Sequence, residues 1–498
     1  MMDLSDKKRY GKFYTPEIYT EFLSKLVLKV YHGTKKNLKL LDPSCGDGAF
    51  LDEMTKRIPQ LIKKLELTKV DLYGIDIDDK ALELASIRIK NKNKVNFNIT
   101  LLNADLLLGD TEIYQNTKKY LNKLFKDKFD IIIGNPPWVS LKGKFREKLY
   151  SNKQLQLLLE RYPCDKYRPN TSEMFIWKSL EILNENGLIG FIVPDRIFKN
   201  SQFSKLRELI FYKYKLEYVV SNVKFQNVNS DNVIFVLRKK ISKPDDKIKF
   251  KSFGERKWEI IPKNIFFDDN YNCFFLKKDY YKVIEKIKRT TYLVKLKELF
   301  ITGVGFIGKK NKFNDDKVSL NSVKVILGRN IERNIIKSFR YFDFINENIL
   351  GGTNDISKLS AKPKIVLRKT GKILISAIDK KGYLPEQSLY FILSKSNNNL
   401  DLYLLNRLLN SNILNFYYLL MAVSNINSIP QIKKKDLDNF PIISYEQFRK
   451  IYPRHLKNTE FKKNPFNYFK NISEKLIYSL YGLDSNDINV IEKYLEHF

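Results

Sequence analysis

The first 240 residues repeat one local pattern: an apolar run of strand length, a short polar string, then a stretch with helical spacing of apolar residues. Leu38–Leu41 leads into DPSCGDGAF, Val70–Ile75 into DIDD, Phe97–Leu102 into NAD, Phe129–Ile133 into GNPPW and Leu188–Val193 into PDRIF. Helical spacing fills Ala49–Lys64 and Asp79–Lys90, and Leu216–Val220 and Val233–Leu237 complete the strand series. Alternation of this kind predicts a doubly wound α/β domain with a mostly parallel sheet. Ligands of such sheets bind outside the carboxyl ends of the strands. The polar strings stand at those ends.

After Arg238 the texture changes, and the charged stretch KKISKPDDKIKFKSFGERKW reads as a boundary. The expected layout is a first domain over 1–245, a second, α+β domain over 246–455 and a helical extension over 456–498. Within the second, short β-like runs (Val323–Leu327, Lys364–Leu367, Ile373–Ala377) surround one long apolar helix, Leu400–Met421. The net charge of +33 on 498 residues points to a polyanionic partner. Nucleic acid and an acidic membrane surface both satisfy it. Three scattered cysteines argue against a disulfide framework, and three histidines leave almost nothing for a zinc site or a histidine-dependent triad. The N-terminus has no apolar signal-peptide core, and no apolar run reaches about 18 residues. A soluble, cytoplasmic protein is expected.

In Asp42-Pro43-Ser44-Cys45-Gly46-Asp47-Gly48, the two glycines permit a tight turn and close approach to a ligand. The third glycine of G-x-G-x-x-G is missing, which argues against a dinucleotide. Asp76, at the next strand end, is placed to accept hydrogen bonds from ribose hydroxyls or to be a solvated acid. Asp105 can accept from an adenine amino group or cap a helix. The most specific string is Asn135-Pro136-Pro137-Trp138. Two prolines remove two N–H donors and stiffen the backbone, so its carbonyls can accept from a ligand. Asn135 adds a side-chain acceptor and Trp138 a flat apolar face. Two acceptors and a stacking plane suit a planar exocyclic amine, whose lone pair is delocalised into its ring. Hydrogen bonds to both N–H groups favour a pyramidal nitrogen and aim the lone pair at an electrophile. Neither a metal nor a covalent intermediate is required.

The strings GKFYTPE (Gly11–Glu17), DPSCGDGAF, GIDID, NADL, GNPPW, NTSEMF (Asn170–Phe175) and GLIGFIVP (Gly187–Pro194) occur in that order. As a set they resemble the gamma-type, TaqI-like N6-adenine DNA methyltransferases, over roughly residues 10–445. The resemblance implies a Rossmann-like S-adenosylmethionine-dependent catalytic domain followed by a DNA target-recognition domain. It implies that Tyr14, Thr15 and Pro16 close over the methionine end of the cofactor. Asp42, Gly46 and Gly48 would line the cofactor loop, Asp76 hold the ribose, Asp105 the adenine, and Phe175 supply a cofactor-side aromatic. Asn135 and the Pro136 carbonyl would bind the target amine, with Pro137 completing the turn. Trp138 and Phe225 would pack on a flipped base; on its own, Phe225 reads as core. The family more often has Tyr at the position of Trp138 and Pro at that of Gln226. In the second domain the resemblance touches Gly328-Arg329-Asn330 and Pro363–Arg368. Arg329 and Arg368 could read guanine or bind phosphate. Lys433, Lys434 and Lys435 could bind phosphate or form a solvated face.

The implied activity is methyl transfer to N6 of adenine at a specific site in double-stranded DNA, by base flipping. The protein would act as a monomer within a restriction–modification or defence system, with a cognate endonuclease as a possible partner. The same Asn-Pro-Pro-aromatic string also suits methylation of RNA adenine or of protein glutamine, and a bifunctional modification-and-cutting enzyme is a further alternative. The large basic domain after the catalytic half favours DNA.

Overall fold

The computed structural model describes residues 15–33, 36–90, 97–141, 149–226, 231–267, 271–273, 275–396, 398–424 and 430–497. It divides into two compact units, Met1–Lys277 and Lys278–Phe498.

In the first unit the elements run α1 (Glu17–Val30), β1 (Asn37–Asp42), α2 (Ala49–Leu65), β2 (Lys69–Asp76), α3 (Asp79–Lys90), β3 (Phe97–Asn103), α4 (Gln115–Lys126) and β4 (Phe129–Gly134). They continue with α5 (Asn152–Arg161), α6 (Thr171–Glu181), β5 (Leu183–Pro194), β6 (Tyr214–Val223), β7 (Asn232–Ile241), β8 (Lys247–Ser252) and β9 (Glu259–Pro262). The nine strands form one sheet in the order β3-β2-β1-β4-β5-β7-β6-β8-β9. The pairs among β1 to β5 are parallel, and β7 runs antiparallel to both neighbours. The order reverses between β1 and β4, which pair through Leu40–Ile131 and Leu41–Ile132. That switch point sets the loops after β1 and β4 side by side, where open α/β sheets bind ligands.

Burial accounts for the element types. Ile131, Ile132 and Ile133 are fully buried, as expected of a central strand covered on both faces. In α1, Tyr19, Leu23, Leu26 and Val27 are buried at helical spacing. The helix sits close on β5: a Cβ on Gly190 would come within 2.5 Å of the Val27 side chain.

Two boundaries differ from expectation. The unit boundary lies at Lys277/Lys278, not near 245, because β8 pairs with β6 and β9 with β8, extending the first sheet. Lys240, Lys243, Asp245, Lys247, Lys249, Arg256 and Lys257 are exposed around these outer strands, whereas Arg238, Lys239 and Lys251 are largely buried. The stretch 456–498 is helical but not a separate extension. Arg407 donates to the Ile472 carbonyl at 2.8 Å and pairs with Glu474 at 2.9 Å, and Phe469 and Ile477 are buried in the second unit.

The second unit contains a sheet of Phe300–Val304, Leu389–Ser394, Lys364–Arg368 and Ser376–Asp379, and another built on Ser322–Ile326 and Arg340–Asp343. Strand Lys364–Arg368 is antiparallel to both its neighbours. The long apolar stretch is two α-helices, Asn399–Leu409 and Asn412–Tyr417, the second running on into a π-helical turn over Tyr418–Ala422. They break where Ser411 caps the second helix through the Leu414 N–H and the Asn410 amide turns to Ser376. Local side-chain hydrogen bonds outcompete continued helix there. Among the described residues no helix is long and apolar enough to cross a membrane.

Candidate active site

The loop after β1 is fixed by its neighbours before any ligand is considered. Gly46 and Gly48 have φ of +51° and +81°, the left-handed region that favours glycine. Gly46 donates its N–H to Asp76 Oδ2 at 2.8 Å, Asp78 donates to Asp76 Oδ1 at 3.0 Å, and the Cys45 N–H reaches the Ile75 carbonyl at 3.0 Å. Asp76 is therefore engaged by two backbone N–H groups and ties the two loops together. Among the described residues a Cβ on Gly46 would meet nothing within 4 Å, so open space lies beside this turn. Asp42 is buried, accepts from the Ser44 N–H at 3.2 Å, and stands under Gly134, whose added Cβ would lie 2.7 Å from Asp42 Oδ1. Burial holds the Asp42 carboxyl well above the usual range, and the nearby charges of Asp76 and Asp47 add to the effect. A cationic ligand beside Asp42 would favour its charged form.

Asp105 is buried and caps its own turn, accepting from Leu107 and Leu108 N–H at 2.8 and 3.2 Å. Burial raises its pKa, partly offset by these N–H groups and the Tyr150 hydroxyl. The turn it starts is clamped: Arg161 reaches the Leu107 carbonyl and Asp110, and the fully buried Lys178 ammonium pairs with Asp110 at 2.7 Å.

The loop after β4 carries Asn135-Pro136-Pro137-Trp138. Asn135 Nδ2 donates to Thr15 Oγ1 at 3.1 Å, which turns the amide oxygen away from Thr15. The Ser44 hydroxyl donates to the Asn135 carbonyl at 3.3 Å, joining the two loops. Thr171, at the start of α6, donates to the Pro137 carbonyl at 2.6 Å and accepts from the Val139 N–H at 3.0 Å. Among the described residues nothing donates to the Pro136 carbonyl. The Trp138 indole N–H donates to the Ile192 carbonyl of β5 at 3.3 Å, so this ring is anchored at its edge. Phe225 packs on it with centroids 5.1 Å apart and planes at 83°. The two rings form an aromatic corner, not a parallel slot.

Thr15 and Pro16 stand at the entrance to α1, and Thr15 accepts from the Asn135 amide. Tyr14 lies outside the described residues. Phe175 is buried on α6, one turn beyond Thr171. The sequence missed Ser44, Tyr19, Thr171 and Lys178. The polar NTS string at 170–172 was a signal for Thr171, since it caps a helix; the others are ordinary residues whose roles come from long-range contacts.

In the second unit Arg329 is exposed on the turn Gly328–Asn330. Arg368 is not available in the same way. Its Nε donates to the Gly328 carbonyl at 2.7 Å and its Nη2 to the Ile331 carbonyl, so it supports the turn that presents Arg329. Lys369-Thr370-Gly371 is pinned to Pro430–Ile432 by the Gly371 N–H to Pro430 and the Ile432 N–H to Lys369. Lys433, Lys434 and Lys435 are exposed, and Lys434 pairs with Asp438 at 2.7 Å.

This arrangement defines an α/β methyltransferase domain followed by a target-recognition domain. Residues 71–228 match the family model of the Eco57I restriction-modification methylase, and residues 323–442 match the TaqI-like C-terminal specificity domain. The chain thus resembles the TaqI-like adenine methyltransferases in both units. It is 28% identical to the Type II methyltransferase M.BstVI of Geobacillus stearothermophilus, over 47% of this chain and 43% of that protein. It is 27% identical to the Type II methyltransferase M.VspI of Vibrio sp., over 62% of this chain and 67% of that protein. The match therefore spans less than half the length of the Geobacillus relative. The fold resembles that in the cryoEM structure of the DrdV–DNA complex, with a TM-score of 0.54 at 12% identity, covering 87% of this chain and 56% of that one.

Proposed function

We propose that this chain transfers a methyl group from S-adenosylmethionine to N6 of adenine at a specific site in double-stranded DNA, as the modification activity of a restriction–modification system. One observation carries the proposal: Asn135-Pro136-Pro137-Trp138 stands at the β1/β4 switch point beside the Asp42–Gly48 loop, with its amide fixed by Thr15. The cofactor fits the residues present. Open space lies beside Gly46, and Asp42 and Asp76, within electrostatic reach of each other, would complement its positive groups, while Asp47 is paired with Arg88 at 2.6 Å. When bound, S-adenosylmethionine supplies the electrophilic methyl group. Asp76 would hold the ribose and Asp105 the adenine.

Asn135 Oδ1 and the Pro136 carbonyl would accept the two N–H groups of the target amine and localise its lone pair. Preorganised acceptors of this kind act without reorganisation in the reaction step. The adenine must leave the duplex stack, which costs a few kcal/mol. Stacking on an aromatic face returns ~1–3 kcal/mol. Trp138, pinned by its N–H, offers that face, and Phe225 closes the corner. The same proposal takes the chain as a cytoplasmic monomer that meets DNA through Arg329, Lys433 and Lys435 and works beside a cognate endonuclease.

The test is modified-base sequencing of DNA from a host expressing the chain. A new sequence motif carrying N6-methyladenine is expected, absent from a host expressing Asn135→Ala. No new motif in the wild-type host would refute the proposal.

A further inference from the structure

The first helix touches the proposed base pocket at two places. At its entrance Thr15 accepts the Asn135 amide N–H at 3.1 Å. One turn on, the Tyr19 hydroxyl donates to the Lys224 carbonyl at 2.8 Å and accepts from the Lys224 N–H at 3.1 Å. A single hydroxyl thus engages both backbone groups of the residue before Phe225, 205 positions away in sequence. The Tyr19 ring lies 5.6 Å from Phe225 and 4.8 Å from Phe253, and only 7% of the residue is exposed.

Packing does not require that hydroxyl. A phenylalanine would fill the same apolar space, whereas burying a hydroxyl costs free energy unless it is hydrogen-bonded. Here its bonds go to the short stretch that leaves β6 and carries Phe225. The helix itself cannot drift, because Gly190 lets Val27 and Leu23 seat directly on β5. The same strand accepts the Trp138 indole N–H through Ile192. Both rings of the aromatic corner are therefore referenced to β5, Trp138 directly and Phe225 through Tyr19 and α1.

We infer that Tyr19 is a positioning residue: its hydroxyl sets where Phe225 stands relative to Trp138, and so fixes the corner that receives the flipped adenine. The inference rests on the proposed function. It involves no contact between Tyr19 and the base, so its effect passes through Phe225.

The test uses the full chain and Tyr19→Phe. Amide exchange of residues 223–226 should quicken about tenfold, the scale of one lost hydrogen bond or more. With unmethylated genomic DNA and radiolabelled S-adenosylmethionine, kcat/KM for DNA should fall about tenfold. The KM for S-adenosylmethionine should stay within twofold. In a double-mutant cycle, Phe225→Leu and Tyr19→Phe/Phe225→Leu should be equally impaired, because Tyr19 has nothing left to position. Unchanged exchange, unchanged kcat/KM for DNA, or additive losses in the cycle would each overturn the inference. Failure of the wild-type chain to methylate any DNA is a different result: it removes the proposed function before any substitution is made, and the role of Tyr19 goes with it.

Discussion

The two units place their functional residues by opposite means. In the first, the strings that matter are contiguous in sequence, because a parallel sheet sends every strand's carboxyl end to one edge. The loops after β1, β2 and β4 need only a few cross-links: Gly46 to Asp76, and Ser44 to Asn135. In the second, antiparallel pairing leaves no common edge, and loops are held from afar. Arg368 grips the turn of Arg329, and Pro430–Ile432 grips Lys369–Gly371. Both units bury an ion pair: the first has Lys178 with Asp110 at 2.7 Å, the lysine side chain fully buried. The second unit pairs Lys364 with Asp379 at 2.6 Å, both side chains fully buried. The first unit also buries Glu173, which carries no ion pair among the described residues and lies against Trp177. A scaffold that concentrates its chemistry in a few residues should be brittle at those residues. One that distributes it should be brittle in its supports.

The largest expected effect tests the first half of that statement. Asn135→Ala should lower methyl transfer about 10³-fold or more, the scale of removing a preorganised polar group, and leave cofactor affinity within a few-fold. Single-turnover kinetics and equilibrium dialysis measure the two. An equal loss in both would mean that Asn135 only holds the loop. The support side comes next. Asp379→Asn strands a buried ammonium whose pKa burial already lowers, and should cost ~3–5 kcal/mol. Hydrogen exchange across Lys364–Arg368 reads that loss. Lys364→Met with Asp379→Leu should restore most of it, since replacing a buried pair with apolar groups is often neutral.

The same contrast explains what the sequence made legible. The strand–helix alternation and the strings ending in Asp42, Asp76, Asp105 and Asn135 were readable because each is local and each strand end has one destination. The helix Asp79–Lys90 and the strands β1 to β7 of the first sheet lie where the apolar spacing put them. The boundary near 245 failed because β8 and β9, at the outer end of the sheet, and the turn joining them carry exposed charged residues such as Lys247, Lys249 and Lys257, which look like a linker. Leu400–Met421 looked like one helix because apolar periodicity continues across Asn410-Ser411; only the Ser376 contact shows why it breaks. Arg368 and Tyr19 illustrate the deeper limit. A guanidinium spent on two carbonyls, or a phenol spent on a backbone 205 residues away, has the same sequence signature as a free one.

Glu173 offers a smaller effect with a definite sign. Burial pushes its carboxyl up to about 8, and the charge of Asp165 adds to this, while Trp177 and Arg207 oppose it. An unfolded glutamate titrates near 4.5. Below that pH the acid is protonated in both states and costs nothing electrostatically. Between the two values the folded state holds a proton that the unfolded state releases, so stability falls as pH rises, and the full penalty is present above about 8. Glu173→Gln should therefore stabilise the first unit by about 2 kcal/mol or more at pH 9 and hardly at all at pH 4. All three tryptophans, Trp138, Trp177 and Trp258, lie in the first unit, so tryptophan fluorescence in urea reports it selectively. A pH-independent difference between the two proteins would show that the carboxyl keeps an ordinary pKa.

The smallest effect probes the distributed side. Arg329 is one exposed cation among several, so Arg329→Ala should weaken DNA binding only about tenfold and reduce the log–log salt slope by about one. A fall in slope with all sequences weakened alike marks a phosphate contact. A loss confined to the cognate sequence marks a base contact. Arg368→Met removes no exposed charge but frees the turn, so it should weaken binding less and alter the salt slope little. If Arg368 acts only by presenting Arg329, Arg329→Ala/Arg368→Met binds no more weakly than Arg329→Ala alone. Additive losses would give Arg368 its own contact with DNA. The turn would then be a pair of readers, and the second unit would concentrate its chemistry as the first does.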